Sequence, residues 1–281
     1  MRRLTVELTG DWHEALGRLR ARGRAGVLVT VLSTRGHAPR EAGAKMVVAA
    51  DGSWDSIGGG NLEQTAIEHA RSLLAPGSES PQTLELSLTE HAPAVHGRQC
   101  CGGQVSLLFE RIGAPPVVAI FGVGHVGLET ARMFSRLSVT LHLVDSREEQ
   151  AGRARALDLT ESRAQVEVHH APAPETVMAQ LPAGAHVLIM THDHAEDLFL
   201  CEAALGREDL GYAGLIGSRA KWARFRRRLQ ESGHPEEHLD RITCPIGLSE
   251  VPGKDPVSIA VSVVADYLRR GSVGAPGGAS A

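Results

Sequence analysis

Cysteine is scarce in this chain. There are four in 281 residues, Cys100, Cys101, Cys201 and Cys244, too few for a disulfide framework, and none has the Cys-x-x-Cys spacing of a structural zinc site. They read as reduced thiols. A positive excess is missing too: 29 basic against 33 acidic side chains give a formal charge of -4, so no overall field advertises a nucleic-acid or anionic-membrane partner, and any anion site is local. No apolar run approaches the roughly 18 residues of a membrane span. The N-terminus, Met1-Arg2-Arg3-Leu4, soon reaches polar residues without the apolar stretch of a signal peptide, so a cytoplasmic location is expected. Gly-x-Ser-x-Gly, Gly-x-x-x-x-Gly-Lys-Ser/Thr and His-Glu-x-x-His do not occur, which leaves serine hydrolase, P-loop and zincin chemistry without sequence support.

What is present is ordinary globular composition, 42% hydrophobic and 22% charged, in a length that suits about two domains. Thr9 to Ala21 has helical spacing, and Val27 to Leu32 is an apolar run suited to a buried strand. Lys45–Ala50 and Ser53–Ile57 read as a hairpin turned by Asp51-Gly52 at positive φ. Gly58-Gly59-Gly60 then opens a helix with Asn61 and Gln64 as a loose capping pair. Leu84, Leu86 and Leu88 alternate as in a strand, and Gln104 to Glu110 forms another. After the linker Ile112-Gly113-Ala114-Pro115-Pro116, apolar strands at Val117–Phe121, Val139–Val144, Val166–His169, Ala185–Met190 and Tyr212–Ile216 alternate with helical stretches, the pattern of a parallel sheet covered by helices. Asp255-Pro256 starts a terminal helix striped by Ile259, Val263 and Tyr267. The expected architecture is α/β: a mixed α/β domain over 1–113, a Rossmann-like parallel-sheet domain over 117–270, and a flexible tail over 271–281.

Five constellations carry chemistry. Gly122-Val123-Gly124-His125-Val126-Gly127 follows a strand and opens a helix, with Asp145 at the end of the next strand. These glycines permit a tight turn and close backbone approach to a pyrophosphate, and the carboxylate suits a ribose hydroxyl; close strand–helix packing alone also explains them. Gly58-Gly59-Gly60-Asn61 is either an anion nest or a hairpin exit needing unusual backbone angles. Gln99-Cys100-Cys101-Gly102-Gly103 places adjacent thiols before two glycines, where they either ligate a metal, carry sulfur and attack electrophiles, or are inert. At the carboxyl end of the later strands, His192-Asp193-His194 is a helix cap or half a metal site, and Ile216-Gly217-Ser218-Arg219 with Lys221 suits phosphate or is a capped basic helix.

Taken in order, Ile57-Gly58-Gly59-Gly60-Asn61-Leu62-Glu63, Gln99-Cys100-Cys101-Gly102-Gly103, Phe121-Gly122-Val123-Gly124-His125-Val126-Gly127, Val144-Asp145-Ser146-Arg147, Thr191-His192-Asp193-His194-Ala195-Glu196-Asp197, Gly214-Leu215-Ile216-Gly217-Ser218-Arg219 and Asp255-Pro256 resemble the xanthine dehydrogenase accessory protein family (XdhC/CoxI), and its XdhC branch in the triglycine. The resemblance implies a chaperone that binds the molybdenum cofactor (molybdopterin), protects it, supports its sulfuration through a cysteine desulfurase and delivers it to the molybdenum subunit of xanthine dehydrogenase. It further implies a homodimer, no catalytic turnover, Cys100 or Cys101 as a transient molybdenum ligand, and a cofactor phosphate cradled by Gly58–Asn61 or Gly217–Arg219. Glu63 would order the triglycine loop or contact the cofactor, and a cleft between domains would hold it. The implied cofactor set is Gly58, Gly59, Gly60, Glu63, Gln99, Cys100, Cys101, Gly122, Gly124, Gly127, Asp145, Ser218 and Arg219. Two alternatives stay open: an NAD(P)-dependent oxidoreductase using the Gly122–Gly127 loop and Asp145, and a nucleotide-sensing module with redox-active thiols.

Overall fold

A computed structural model describes residues 11–75, 78, 80–88 and 103–273. The expectations at Gln99, Cys100 and Cys101 lie outside the described residues. The chain divides into two compact units, Met1–Pro115 and Pro116–Ala281.

In the first unit α1 (Trp12–Ala21) starts at Asp11, whose carboxylate accepts the amides of His13 and Glu14 at 3.1 and 2.9 Å and so satisfies two donors that the first turn cannot pair internally. An antiparallel sheet in the order β3-β2-β1-β5-β4 follows, built from β1 (Gly26–Arg35), β2 (Lys45–Ala49), β3 (Gly52–Asp55), β4 (Gln82–Ser87) and β5 (Gln104–Ile112), with α2 (Gly60–Ser72) between β3 and β4. Strand β2 reads as unbroken apolar residues because both faces are covered. Val47 and Ala49 pack with Trp54 under Ala15 and Leu19 of α1, while Met46 and Val48 pack with Val27 and Val29 under Leu62, Ala66 and Ala70 of α2. In β1 the register slips between Val31 and Ser33, a bulge that turns Leu32 outward to 45% exposure.

Two local expectations are corrected. Ala49 pairs with Gly52, so the two-residue turn is Ala50-Asp51 rather than Asp51-Gly52. Among the described residues of this hairpin the positive φ falls on Asp55, at 64°, not on Gly52. Asp51 is instead held by Arg24 through two bonds of 2.7 and 2.8 Å. The cap of α2 is also different: Gly59 occupies the N-cap and Asn61 lies inside the helix.

The second unit is a six-stranded parallel sheet of β6 (Val117–Phe121), β7 (Thr140–Asp145), β8 (Gln165–His170), β9 (His186–Ile189), β10 (Tyr212–Leu215) and β11 (Ile242–Thr243). Its order, β11-β10-β9-β6-β7-β8, is the 3-2-1-4-5-6 arrangement of a doubly wound sheet, with the topological switch between β6 and β9. One face packs Phe121, Val144, Val187 and Ile189 against α5 (Glu175–Gln180), α6 (His194–Leu205), α7 (Arg219–Glu231) and α8 (Glu236–Leu239). The other packs Val118, Ile120, Leu141 and Leu143 against α3 (His125–Phe134), α4 (Glu148–Arg155) and α9 (Pro256–Val273). Strands buried on both sides have no polar alternation, which is why they stand out in the sequence. Asp255 opens α9 by accepting the Ser258 amide at 3.0 Å, and the helix runs to Val273, past the expected boundary at 270. No helix among the described residues is long and apolar enough to cross a membrane.

Candidate functional site

In a parallel sheet of this order, ligands bind beyond the carboxyl ends of the strands at the switch point. The glycine loop after β6 lies there. At Gly122, where φ is 98°, an added Cβ would sit 2.4 Å from the Met190 carbonyl oxygen and 2.5 Å from Thr191 Cα, so the loop presses directly on the exit of β9. At Gly127 a Cβ would lie 2.1 Å from the Gly122 carbonyl oxygen, so only glycine lets α3 start this close to the strand. Gly124 differs from both. It caps α3 with nothing within 4 Å of where a Cβ would stand, so open space borders the positive end of the helix.

Asp145 ends β7 and is 2% exposed. Its Oδ2 accepts the Val123 amide at 2.9 Å and an Arg147 guanidinium N–H at 3.1 Å, while Oδ1 accepts the Arg147 amide and Nε at 3.0 Å each. A carboxylate has about four acceptor positions, and all are taken, one by the Val123 amide of the glycine loop and three by Arg147. Burial is the largest influence on this carboxyl and acts to raise its pKa, but the Arg147 guanidinium and the amides of Arg147 and Val123 together hold it below the usual range. Asp145 therefore fixes the glycine loop. It offers no vacant acceptor to a ribose, and the geometry does not favour the dinucleotide reading.

The neighbouring strand exits are tied together by a buried ion pair. Asp197 in α6 is fully buried and Lys221 in α7 nearly so; Lys221 Nζ donates to Asp197 Oδ2 at 2.5 Å and to the Ile216 carbonyl at 2.9 Å. Asp197 Oδ1 accepts the amide and hydroxyl of Thr191 at 3.0 and 2.8 Å. One pair thus anchors the loops after β9 and β10. Gly217 is part of the arrangement, because a Cβ there would stand 2.6 Å from Lys221 Cδ. Ser218 caps α7 by accepting the Lys221 amide at 3.1 Å, and Arg219 begins that helix in solvent. Asp193 caps α6 by accepting the amides of Ala195 and Glu196, so the structure uses the His192-Asp193-His194 segment as a cap. Ser146 donates to Glu196 at 2.8 Å; burial pushes the Glu196 carboxyl up, with the charges of Asp145 and Asp197 adding to the effect. Burial likewise pushes the Cys244 thiol up to about 11, and Cys201 in the core higher still. Both are protonated at neutral pH.

In the first unit Gly58, Gly59 and Gly60 all have positive φ, at 130, 73 and 62°. Gly58 is required by Pro39, whose Cβ would lie 2.5 Å from an added Cβ. The Gly58 amide donates to Ser56 Oγ at 3.1 Å and the Gly59 amide to Glu63 Oε2 at 3.1 Å, with Ser56 Oγ itself donating to Glu63 at 2.5 Å. Glu63 therefore reaches back over the first turn of α2 to accept the N-cap amide of Gly59 and the Ser56 hydroxyl. Its carboxylate occupies the place an anion would take on the Gly59 amide, and Gly60 is exposed, with nothing within 4 Å of an added Cβ there.

The structure places Gly122, Gly124, Gly127, Asp145, Ser218 and Arg219 along one edge of one sheet, and Gly58, Gly59, Gly60 and Glu63 at one helix start in the other unit. Arg147, Glu196 and Asp197 had no role of their own in the sequence reading, and Lys221, read there toward phosphate or as part of a capped basic helix, is instead paired with Asp197. Arg147 turns back on Asp145 two residues away, whereas Glu196 and Asp197 find their partners Ser146 and Lys221 on other strand exits, and of these long-range pairs only the Ser-x-x-Lys cap at Ser218 and Lys221 left a local signal.

A doubly wound parallel sheet with a complete glycine loop at its switch point defines an α/β protein of the Rossmann type. Sequence models sharpen the class: that of the XdhC Rossmann domain matches residues 118–267, and that of the XdhC and CoxI family matches residues 19–86. The chain belongs to the XdhC and CoxI family. It is 27% identical over 252 residues to the uncharacterized protein YqeB of Escherichia coli K12, covering 89% of this chain and 44% of that protein; the chain thus spans under half of that relative's length. It is 23% identical over 269 residues to the molybdenum cofactor insertion chaperone PaoD of the same organism, covering 87% of this chain and 83% of PaoD. A crystal structure described as a xanthine dehydrogenase from Bacillus halodurans matches with 19% identity and a TM-score of 0.46, covering 96% of this chain and 98% of that one.

Proposed function

We propose that this chain is a molybdenum-cofactor chaperone: it shelters the pterin-bound metal as cargo, supports its sulfuration with a cysteine desulfurase, and passes it to the molybdenum subunit of a xanthine dehydrogenase, acting as a homodimer without turnover of its own. Family membership and the relative named as a molybdenum cofactor insertion chaperone support this reading. The observation that carries it is the open space at Gly124, the N-cap of α3, beside a loop held by Asp145. A rigid cradle of amides at a helix N-terminus suits a cofactor phosphate, and the exposed guanidinium of Arg219 on the same sheet edge supplies a complementary charge. Gly60 and the start of α2 would offer a second set of amides, ordered by Glu63. The thiols of Cys100 and Cys101, with Gln99 beside them, would approach molybdenum as soft ligands.

Transfer tests the proposal. Cofactor-loaded chain, mixed with apo-xanthine dehydrogenase, should activate it to a greater extent than the same amount of free cofactor, and the Cys100→Ala/Cys101→Ala chain should lose the advantage. Activation no better than with free cofactor refutes delivery.

A further inference from the structure

Away from the sheet edge, the pairing of β7 with β8 gathers three ligand-type side chains that no sequence motif joins. His142 lies directly opposite Glu167 in the register, and His169, two residues further along β8, shares its face because side chains alternate along a strand. The face is the one that carries Val144 and the helices α5 to α7, but these three positions lie at its outer margin. The side chains of His142 and His169 are 15 and 31% exposed and that of Glu167 is 57% exposed, so the cluster is both seated and reachable from solvent.

His142 Nδ1 and His169 Nε2 are 3.0 Å apart, with Glu167 Oε2 3.5 Å from the first and 3.8 Å from the second. A point equidistant from the three atoms lies about 2.0 Å from each, which matches Zn–N and Zn–O bond lengths. A hydrogen bond between the imidazoles alone would use a single proton and leave the carboxylate outside it. A divalent cation engages all three lone pairs at once. Two imidazoles and one carboxylate are a borderline donor set that suits Zn²⁺, Co²⁺ or Ni²⁺ rather than Mg²⁺ or Ca²⁺.

We propose that His142, Glu167 and His169 bind one divalent transition-metal ion of the Zn²⁺ class, which clasps the edge strand β8 to β7. The site is independent of molybdenum and of the glycine loop. The test uses the full chain carrying Cys100→Ala and Cys101→Ala, so that thiols do not compete, stripped with a chelator and titrated with Co²⁺ and then Zn²⁺. One equivalent of Co²⁺ with tetrahedral-type visible absorption, displaced by Zn²⁺, is expected. Replacing a ligand should weaken binding at least about tenfold, since even an outer-shell partner costs that much. The exposed Glu167→Gln change tests this without touching the core, and His142→Ala/His169→Ala should abolish the absorption. Circular dichroism of the chelated proteins checks that each variant is folded. Absence of the absorption in the parent, or unchanged affinity in both the Glu167→Gln and the folded double-histidine variants, overturns the site.

Discussion

Lys221→Met removes the ammonium that neutralises Asp197 while keeping most of the aliphatic stem. Asp197 is fully buried, and after the change only the amide and hydroxyl of Thr191 would face its carboxylate. Stranding one member of a buried pair costs about 3–5 kcal/mol; with two hydrogen bonds retained, a loss near the lower end, about 3 kcal/mol, is expected, or roughly a hundredfold in the folding equilibrium. Adding Asp197→Asn should return most of that loss, because the neutral amide no longer needs a counter-charge. Trp222 of α7 is the one tryptophan of the second unit, the others being Trp12 and Trp54. Urea unfolding followed by its fluorescence in a Trp12→Phe/Trp54→Phe background therefore reads the Rossmann unit alone. A loss under about 1 kcal/mol, the scale of an exposed pair, or a double variant as unstable as the single one, refutes the claim that this pair anchors the loops after β9 and β10.

The glycine loop makes a contrasting prediction: Gly127→Ala should destabilise the unit by about 1–3 kcal/mol through overpacking, whereas Gly124→Ala should cost no more than about 1 kcal/mol yet weaken cargo binding, and equal unfolding midpoints for the two would contradict it. Asp145 has a depressed pKa in the folded state, so its stabilisation is complete above the unfolded-state value of about 3.9 and is lost as pH falls through the lower folded-state value. Asp145→Asn should flatten the acid limb of the stability curve; an unchanged limb would count against the loop-fixing role. Cys201 and Cys244 have raised pKa values in the folded state, so they favour folding less as pH climbs past the ordinary thiol value of about 8.5. In the Cys100→Ala/Cys101→Ala chain, a thiol reagent at pH 8 should label neither quickly until denaturant is added; rapid labelling of Cys244 would show that it is not shielded.

Strand β6 was legible because burial on both faces makes it an unbroken apolar run, whereas the edge strand β8 alternates Val166 and Val168 with polar residues, and the glycine loop was legible because close packing at Gly122 and Gly127 admits no Cβ. Strand β11 and helix α8 were not, since two and four residues are too short to show any period. The destination of Asp145 was hidden for a different reason. Eighteen residues beyond Gly127 it sits where a ribose ligand belongs, and only the folded turn shows Val123 and Arg147 claiming its oxygens. Asp197 and Lys221 are separated by 24 positions on helices that meet only after β9 and β10 pair. The His142, Glu167 and His169 cluster depends on the exact register of β7 and β8, which periodicity does not specify.

The most direct measurement is the amount of cofactor the protein keeps. Purified without oxygen from a cofactor-producing host and incubated with molybdenum cofactor, the chain should retain molybdenum and pterin together at about one per chain, and the folded Cys100→Ala/Cys101→Ala variant should retain far less. A folded parent chain that retains neither contradicts the chaperone account.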